Sequence, residues 1–429
     1  MIANIVMDEG KIIRVSGPAN IEVTEGEILL VGAKYGKGSK IIIHRLRSYG
    51  IKALRRSRLK IITGSGGEIE EPSIDEEVID HWLKLSQYIA DKMKQLGKIK
   101  TMILGPVESG KTTLSAFISN FLLENGYRVA LIDADIGQED LAPPTFIALT
   151  YPRKPFIWQR TLLAESIRFV GCNSPQYCSA RLVVALKDLV DEAMASGVDA
   201  VVINTDGWVQ TPAAMDLKLT LIRWVKPNVV ISLSNSLTAI IRRSLPELVD
   251  VMYAPSPKVL RERGREDRKK LRAQAYERFL KDGREVTLSF SEVKIIGSCV
   301  VAGNKIDLGE LTSYVRLAPD IMSKLLYASL YENILNLVVT DRNVSRLVSP
   351  LPGYSINIIQ VDDARGLVVG VLNEELKDVS IGVIKDIDYI KERIKIITPW
   401  KGEIGALIVG RVKLNENYED TGRVGRCIV

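Results

Sequence analysis

The sequence predicts an α/β chain with a central, mainly parallel sheet, a small β domain before it and a mainly β domain after it. Three observations carry that expectation. The segment Gly105-Pro-Val-Glu-Ser-Gly110-Lys111-Thr112-Thr113 lies between an apolar run, Lys100 to Leu104, and an amphipathic run from Leu114, the frame of a strand, a glycine-rich turn and a helix. Around it, from Ile99 to about Tyr253, apolar β runs alternate with helical patterns, as in a sheet wrapped by crossover helices. On either side, short β runs are punctuated by glycines. At 429 residues the length favours two or three domains, and the changes of pattern put them at 1–75, 76–284 and 285–429.

In the first part the expected strands are Lys11 to Val15, Asn20 to Val23, Glu27 to Val31, Lys40 to Ile43 and Leu59 to Ile62. From Ser73 to Leu96 the apolar residues Val78, Trp82, Leu83, Leu85, Ile89 and Met93 keep helical spacing, which predicts a bridging helix. The central strands are Thr101 to Leu104, Arg128 to Ile132, Ala200 to Asn204 and Asn228 to Leu233. The last part reads as antiparallel strands at Val286 to Leu288, Glu292 to Ile296, Ile356 to Val361, Gly366 to Leu372, Ile381 to Ile384, Arg393 to Thr398 and Ala406 to Val412. One helical interruption is expected at Ser323 to Leu337.

A 46% apolar and 26% charged composition is that of a soluble globular protein, and a net charge of +6 suits an anionic partner. The N-terminal residues lack a basic segment followed by a long apolar core, and no apolar stretch is long enough to cross a bilayer, so an intracellular, cytoplasmic location is expected. Cys172, Cys178, Cys299 and Cys427 form no Cys-x-x-Cys pair, and His44 and His81 are the only histidines. That pattern argues against a zinc site and a disulfide framework. Cys172 and Cys178 are close enough to bridge, but free thiols are expected throughout. With histidine so scarce, proton transfer falls to a carboxylate or solvent.

The chemistry concentrates in the central part. Gly105, Pro106, Val107, Glu108, Ser109, Gly110, Lys111, Thr112 and Thr113 form a Walker A loop, whose backbone N–H groups and helix N-terminus suit the phosphates of ATP. Lys111 then bridges the β- and γ-phosphates, and the Thr112 hydroxyl ligates Mg²⁺. The apolar run Val129 to Ile132 ends in Asp133 and Asp135, two positions apart and hence on one face of a strand. One can hold Mg²⁺ or its waters while the other orients or deprotonates a nucleophile. A second apolar run, Val198 to Asn204, enters Thr205-Asp206-Gly207-Trp208, where the indole either stacks on a base or packs beneath a loop. The segment Lys258 to Arg284 is rich in arginine, and steps of five and four keep Arg263, Arg268 and Arg272 near one helical stripe. It is either a solvated helix face or a mobile lid over the γ-phosphate.

Taken together, these motifs make the chain resemble the polynucleotide 5′-hydroxyl kinase family, which includes the kinase subunit of the mRNA cleavage complex and the kinase of pre-ribosomal RNA processing. The resemblance rests on the Walker A loop, Asp133-x-Asp135-x-Gly137-Gln138, the Thr205-x-Gly207-Trp208 clasp and the arginine-rich lid, with Phe169-Val-Gly171-Cys-Asn-Ser174-Pro175 and the segments from Gly366 to Val412 in support. It implies a central P-loop NTPase domain, ATP and Mg²⁺ as cofactors, and phosphorylation of a 5′-hydroxyl on RNA, with DNA a further acceptor and RNA-processing proteins as partners. By the same resemblance Asp135 is the general base, and Lys111, Arg268 and Arg272 act on the transferring phosphate. Thr112 and Asp133 would hold the metal, and Gln138, Thr205, Trp208 and, more loosely, Arg263 would contact the substrate. The N-terminal domain of such kinases helps to hold adenosine, but its contact residues have no match here. The basic stretch containing Lys40, Arg45, Arg47, Lys52, Arg55, Arg56, Arg58 and Lys60 is either a nucleic-acid track or a solvated surface. The alternative reading of the whole chain is an ATP-binding scaffold of an RNA-processing complex without kinase turnover.

Overall fold

Runs of β-branched and apolar residues that are buried on both faces build the centre of the molecule, seen in a computed structural model that describes the whole chain except residues 74–75, 139, 259–263, 318–320, 342, 344–347 and 426. The central sheet runs Ser166–Phe169, Phe146–Thr150, Val129–Ala134, Ala200–Thr205, Ile99–Leu104, Val229–Ser232, Asp250–Tyr253. The five strands from Val129–Ala134 to Asp250–Tyr253 are parallel, and the two at the other edge are antiparallel. Period-two alternation divides their side chains between two layers. Ile103, Leu131 and Val202 face α1 (Ile79–Leu96) and α2 (Lys111–Glu124). Met102, Ile132 and Ile203 face α3 (Ser179–Ala195), α4 (Pro212–Val225) and α5 (Asn235–Ser244). The helix starts follow local chemistry: Thr211 accepts from the Ala214 N–H ahead of Pro212 in α4, and Ser234 accepts from the Leu237 N–H in α5. Among the described residues the last α-helix, α6 (Arg265–Leu280), carries most of the arginine-rich segment.

The N-terminal part forms two antiparallel sheets, one of Ile2–Met7, Ser57–Thr63, Ala19–Glu25 and Lys40–Ile43, the other of Ala33–Gly36, Glu27–Leu30, Ser48–Ala53, Ile12–Ser16 and Glu68–Glu70. Their apolar faces share one cluster with α1, α2 and the central sheet. Asn120, buried on α2, fixes the junction by donating to the carbonyls of Val31 and Phe156 at 2.7 and 2.6 Å.

Beyond α6 the main sheet contains Arg284–Ser289, Arg393–Thr398, Asp378–Asp388, Leu367–Leu372, Ala406–Leu414 and Lys294–Ile296. A second sheet holds Asn304–Lys305, Leu325–Tyr331, Ile334–Val339 and Ser355–Gln360. Two pairings are parallel, Lys294–Ile296 with Ala406–Leu414 and Ile334–Val339 with Ser355–Gln360, so the region is mixed rather than antiparallel throughout. The helix expected at Ser323 to Leu337 is instead a β-hairpin. Tyr327 and Val338 are buried in one cluster, while Leu325, Ala328, Leu335, Leu337 and Val339 are buried in another. Burial on both faces removes the period-two signal that distinguishes a strand from a helix. Glu332, at φ 55°, makes the turn.

The cysteines also depart from expectation: Cys172 is bonded to Cys178 and Cys299 to Cys427, with Cα atoms 6.1 and 4.8 Å apart. A short 3₁₀ turn at Pro175–Tyr177 folds the first pair together. The second pair follows from docking of the chain end, where the N–H groups of Cys299 and Val300 both donate to the Val429 carbonyl. A separation of 128 residues has no local signature. Among the described residues no helix is long and apolar enough to cross a membrane.

Candidate active site

At the carboxyl end of Ile99–Leu104 the chain turns through the Walker A loop and enters α2 at Lys111. Gly110 has φ 96°, a conformation that only glycine adopts without strain, and it turns the loop back on itself. Lys111 is 5% exposed, and its Nζ donates to the Pro106 carbonyl at 2.7 Å, so the ammonium lies across the loop. Burial holds its pKa below that of an ordinary lysine, partly offset by the carboxylate of Asp135. Gly207 supports the loop from the neighbouring strand's end: a Cβ there would lie 2.7 Å from both Val107 N and Cα.

Two carboxylates face this loop from the end of Val129–Ala134, the strand beyond Ala200–Thr205 in the sheet. Asp133 is 1% exposed, and its Oδ1 accepts from Asn204 Nδ2 at 2.8 Å and from the Asp135 N–H at 3.2 Å. Asn204 Nδ2 is also 3.4 Å from the Thr112 hydroxyl. Asp133 Oδ2 is buried with no hydrogen-bond partner among the described residues. Burial, followed by the charge of Asp135, pushes the Asp133 pKa up to about 8. An orphaned carboxylate oxygen on a residue that Asn204 links to a Walker A hydroxyl fits a hard divalent cation whose other positions are taken by phosphate and water. Asp135 has its Oδ1 held by the N–H groups of Gly137 and Gln138, each at 3.2 Å. Burial raises its pKa, and the Lys111 ammonium opposes that rise.

Lys111, Thr112 and Asp135 line a cavity of about 460 Å³, within the range of small-ligand sites, whereas Asp133 is buried and is not part of its lining. It brings together Val107, Glu108, Gly110, Lys111, Thr112, Thr113, Asp135, Gln138 and Arg272 from the residues singled out by sequence. Arg268 lies beside it, with Nη1 3.7 Å from Glu108 Oε1. Both arginines project from the first half of α6, whose second half is anchored: Tyr276 and Leu280 are buried with Phe146, Phe169 and Val368. Thr205 is elsewhere; its hydroxyl donates to the Ile103 carbonyl at 2.8 Å inside the sheet. Trp208 is half-buried and lines a separate groove between α3 and α4 with Trp224, while its backbone N–H is held by Asp206. Asp206 is in turn paired with the fully buried Lys218. Arg263 lies outside the described residues.

Sequence reasoning left the N-terminal contribution open. The structure places Arg14, His44, Arg45, Leu46, Arg47, Ser48 and Tyr49 on the cavity wall, with His44 and Arg47 against Trp158 and Asp140. Arg14 is committed to Glu77 through a buried ion pair, whereas Lys40, Arg56 and Lys60 are exposed. Within the run of basic residues from 40 to 60, Arg45 and Arg47 line the cavity and Lys40, Arg56 and Lys60 do not, a division that charge spacing alone does not reveal.

A phosphate-binding loop at the sheet's carboxyl edge, two carboxylates at the end of Val129–Ala134 and arginines beside them define a P-loop nucleotide-binding protein. Residues 105–282 match the family model for the mRNA cleavage and polyadenylation factor CLP1 P-loop. The chain is 30% identical over 352 residues to a polyribonucleotide 5′-hydroxyl-kinase of Pyrococcus horikoshii, covering 80% of this chain and 94% of that protein. It is 29% identical over 345 residues to one of Methanocaldococcus jannaschii, covering 79% and 92%. A solved wild-type Clp1p–Pcf11p complex superposes over 96% of this chain and 98% of its own with a TM-score of 0.64 at 10% identity, a likeness of fold. The chain belongs to the polynucleotide 5′-hydroxyl-kinase family.

Proposed function

We propose that the protein transfers the γ-phosphoryl group of ATP to the 5′-hydroxyl of a polynucleotide, RNA in the first place and DNA as a further acceptor, in RNA processing. The observation that carries this reading is the shared cavity in which Lys111 and Thr112 meet Asp135 and Gln138. The Walker A N–H groups and Lys111 hold the donor phosphates, and Lys111 leaves Pro106 to do so. Thr112 and Asp133 would hold Mg²⁺, which when bound would offset charge on the phosphates. Asp135, with its pKa raised by burial, accepts the proton of the acceptor hydroxyl as that oxygen attacks phosphorus in line and ADP departs. Arg268 and Arg272 take the negative charge of the transferring group. Gln138 orients the acceptor. Thr205 and Trp208 serve it indirectly, because they frame Gly207, the residue against which Val107 rests. In this reading the chain has three working parts, 1–75, 76–284 and 285–429.

The test is transfer of label from γ-labelled ATP to a 5′-hydroxyl oligoribonucleotide. Label on the RNA is expected. Tight ATP binding with no transfer across metals and temperatures would instead favour the scaffold reading.

A further inference from the structure

The cavity has a second basic wall, assembled from segments distant in sequence, which the transfer mechanism above does not use. Arg47, from the N-terminal sheets, donates from Nη2 to Asp140 Oδ2 at 2.7 Å. Trp158 donates its indole N–H to the same oxygen at 2.9 Å. Arg160 Nε lies 3.6 Å from Asp140 Oδ1 and, though this nitrogen is buried, it has no hydrogen-bond partner among the described residues. The guanidinium carbons of Arg47 and Arg160 each lie 4.9 Å from the centre of the Trp158 ring. Behind them Arg278 donates to the backbone carbonyls of Asp140 and Arg160.

Three guanidiniums therefore gather around one carboxylate among the described residues. The side chains of Arg47, Asp140 and Arg160 are only 18, 11 and 23% exposed, so solvent screens the excess charge weakly. A domain brace needs one cation for one anion. Here Arg47 directs one of its five N–H donors at Asp140, and the Arg160 fork is pinned by the indole and carboxylate with donors to spare. Planar forks held rigid by an aromatic ring suit the oxygens of a phosphate. On the kinase reading the wall stands on the acceptor side, because Asp140 follows Asp135 and Gln138, which that reading assigns to the acceptor, and all three line the cavity.

We propose that Arg47 and Arg160, propped by Trp158 and Asp140, bind a backbone phosphodiester of the acceptor strand, making the enzyme selective for polynucleotides. The assignment rests on the kinase reading above for the strand's role, and on the geometry alone for its phosphate. The other source of phosphate oxygens in this cavity is the donor nucleotide.

The experiment is an anisotropy titration of the full chain with a labelled 5′-hydroxyl oligoribonucleotide at several salt concentrations, alongside separate calorimetric titration with ATP and Mg²⁺. Arg160→Gln should weaken strand binding roughly ten- to a hundred-fold, the usual consequence of removing a charge-assisted hydrogen bond. It should also flatten the dependence of log affinity on log salt by about 0.7 for each phosphate no longer neutralised, an effect that a brace would not produce. ATP affinity should stay within about twofold, and Arg160→Lys should retain the salt slope while giving up part of the affinity. Arg47→Gln is the independent second variant should Arg160→Gln not fold. An unchanged salt slope, or a fall in ATP affinity that matches the fall in strand affinity, would overturn the proposal. Strand binding of the expected form without label transfer would uphold it and remove the kinase reading instead.

Discussion

Replacing Gly207 by alanine tests whether the clasp exists to support the phosphate loop. A Cβ at this position would lie 2.6 Å from Val107 Cγ2 and 2.7 Å from both Val107 N and Cα. Ordinary contacts begin at 3.4 Å, so the new methyl group is about 0.7 Å too close to backbone, and no rotamer change relieves it. Overpacking of this kind costs about 1 to 3 kcal/mol of stability when the neighbour gives way. The part that gives way is the Walker A loop, because Gly207 sits at the end of the buried strand Ala200–Thr205. A displacement approaching 1 Å at a reacting centre can lower a rate by roughly a hundredfold. Calorimetric ATP affinity in the presence of Mg²⁺, denaturant midpoints and initial transfer rates should all fall for Gly207→Ala. Gly36→Ala is the control, since a Cβ there meets nothing within 4 Å. Wild-type ATP affinity and rate in Gly207→Ala would refute this role for the clasp.

Two further outcomes follow from features away from the reacting atoms. The Cys299–Cys427 bond closes a loop of 128 residues, for which the chain-entropy relation gives about 5 kcal/mol, so Cys299→Ser should lower the denaturant midpoint of the C-terminal region and make it insensitive to reductant; a midpoint equal to that of the oxidised wild type would contradict this. Burial pushes the Asp378 carboxyl up to about 6 from an ordinary 3.8, so the folded state keeps this proton longer than the unfolded one. Its contribution to stability is whole below pH 3.8, falls as pH rises towards 6 and is lower by at most about 3 kcal/mol above it. Asp378→Asn keeps an acceptor for the Phe169 N–H, at 3.2 Å in the native protein, and should be more stable than wild type at about pH 7.5 but not at about pH 4. Equal differences in denaturant midpoint at both pH values would reject that cause.

The phosphate site was legible because its chemistry is local. Gly105 to Thr113, Asp133 and Asp135 each sit at the end of an apolar run, and the parallel register that sets Asp133 beside Asn204 follows from those runs. What escaped is what the fold assembles from distant segments. Arg47, Asp140 and Trp158 meet only because the N-terminal sheets dock on α2; Arg47 was marked only as one of a run of basic residues, and nothing nearby in the sequence marks Asp140 or Trp158 as its partners. The hairpin at Leu325–Tyr331 and Ile334–Val339 was misread because tertiary burial overrides an apolar run rich in leucine. Both disulfides were missed for the same reason: pairing is fixed by how the chain folds back. Trp208 lies one position from the cavity-supporting Gly207 and lines the groove between α3 and α4, a placement its motif alone does not reveal.

At the centre of the proposed chemistry, Asp135 serves as the base in phosphoryl transfer to a polynucleotide end. Single-turnover transfer from γ-labelled ATP to a 5′-hydroxyl oligoribonucleotide, measured for wild type and Asp135→Asn with ATP affinity determined in parallel, tests it most directly. Removing a general base should slow transfer by about 10² to 10⁴-fold while ATP still binds. Transfer by Asp135→Asn at the wild-type rate, or no transfer by the wild type, would contradict it.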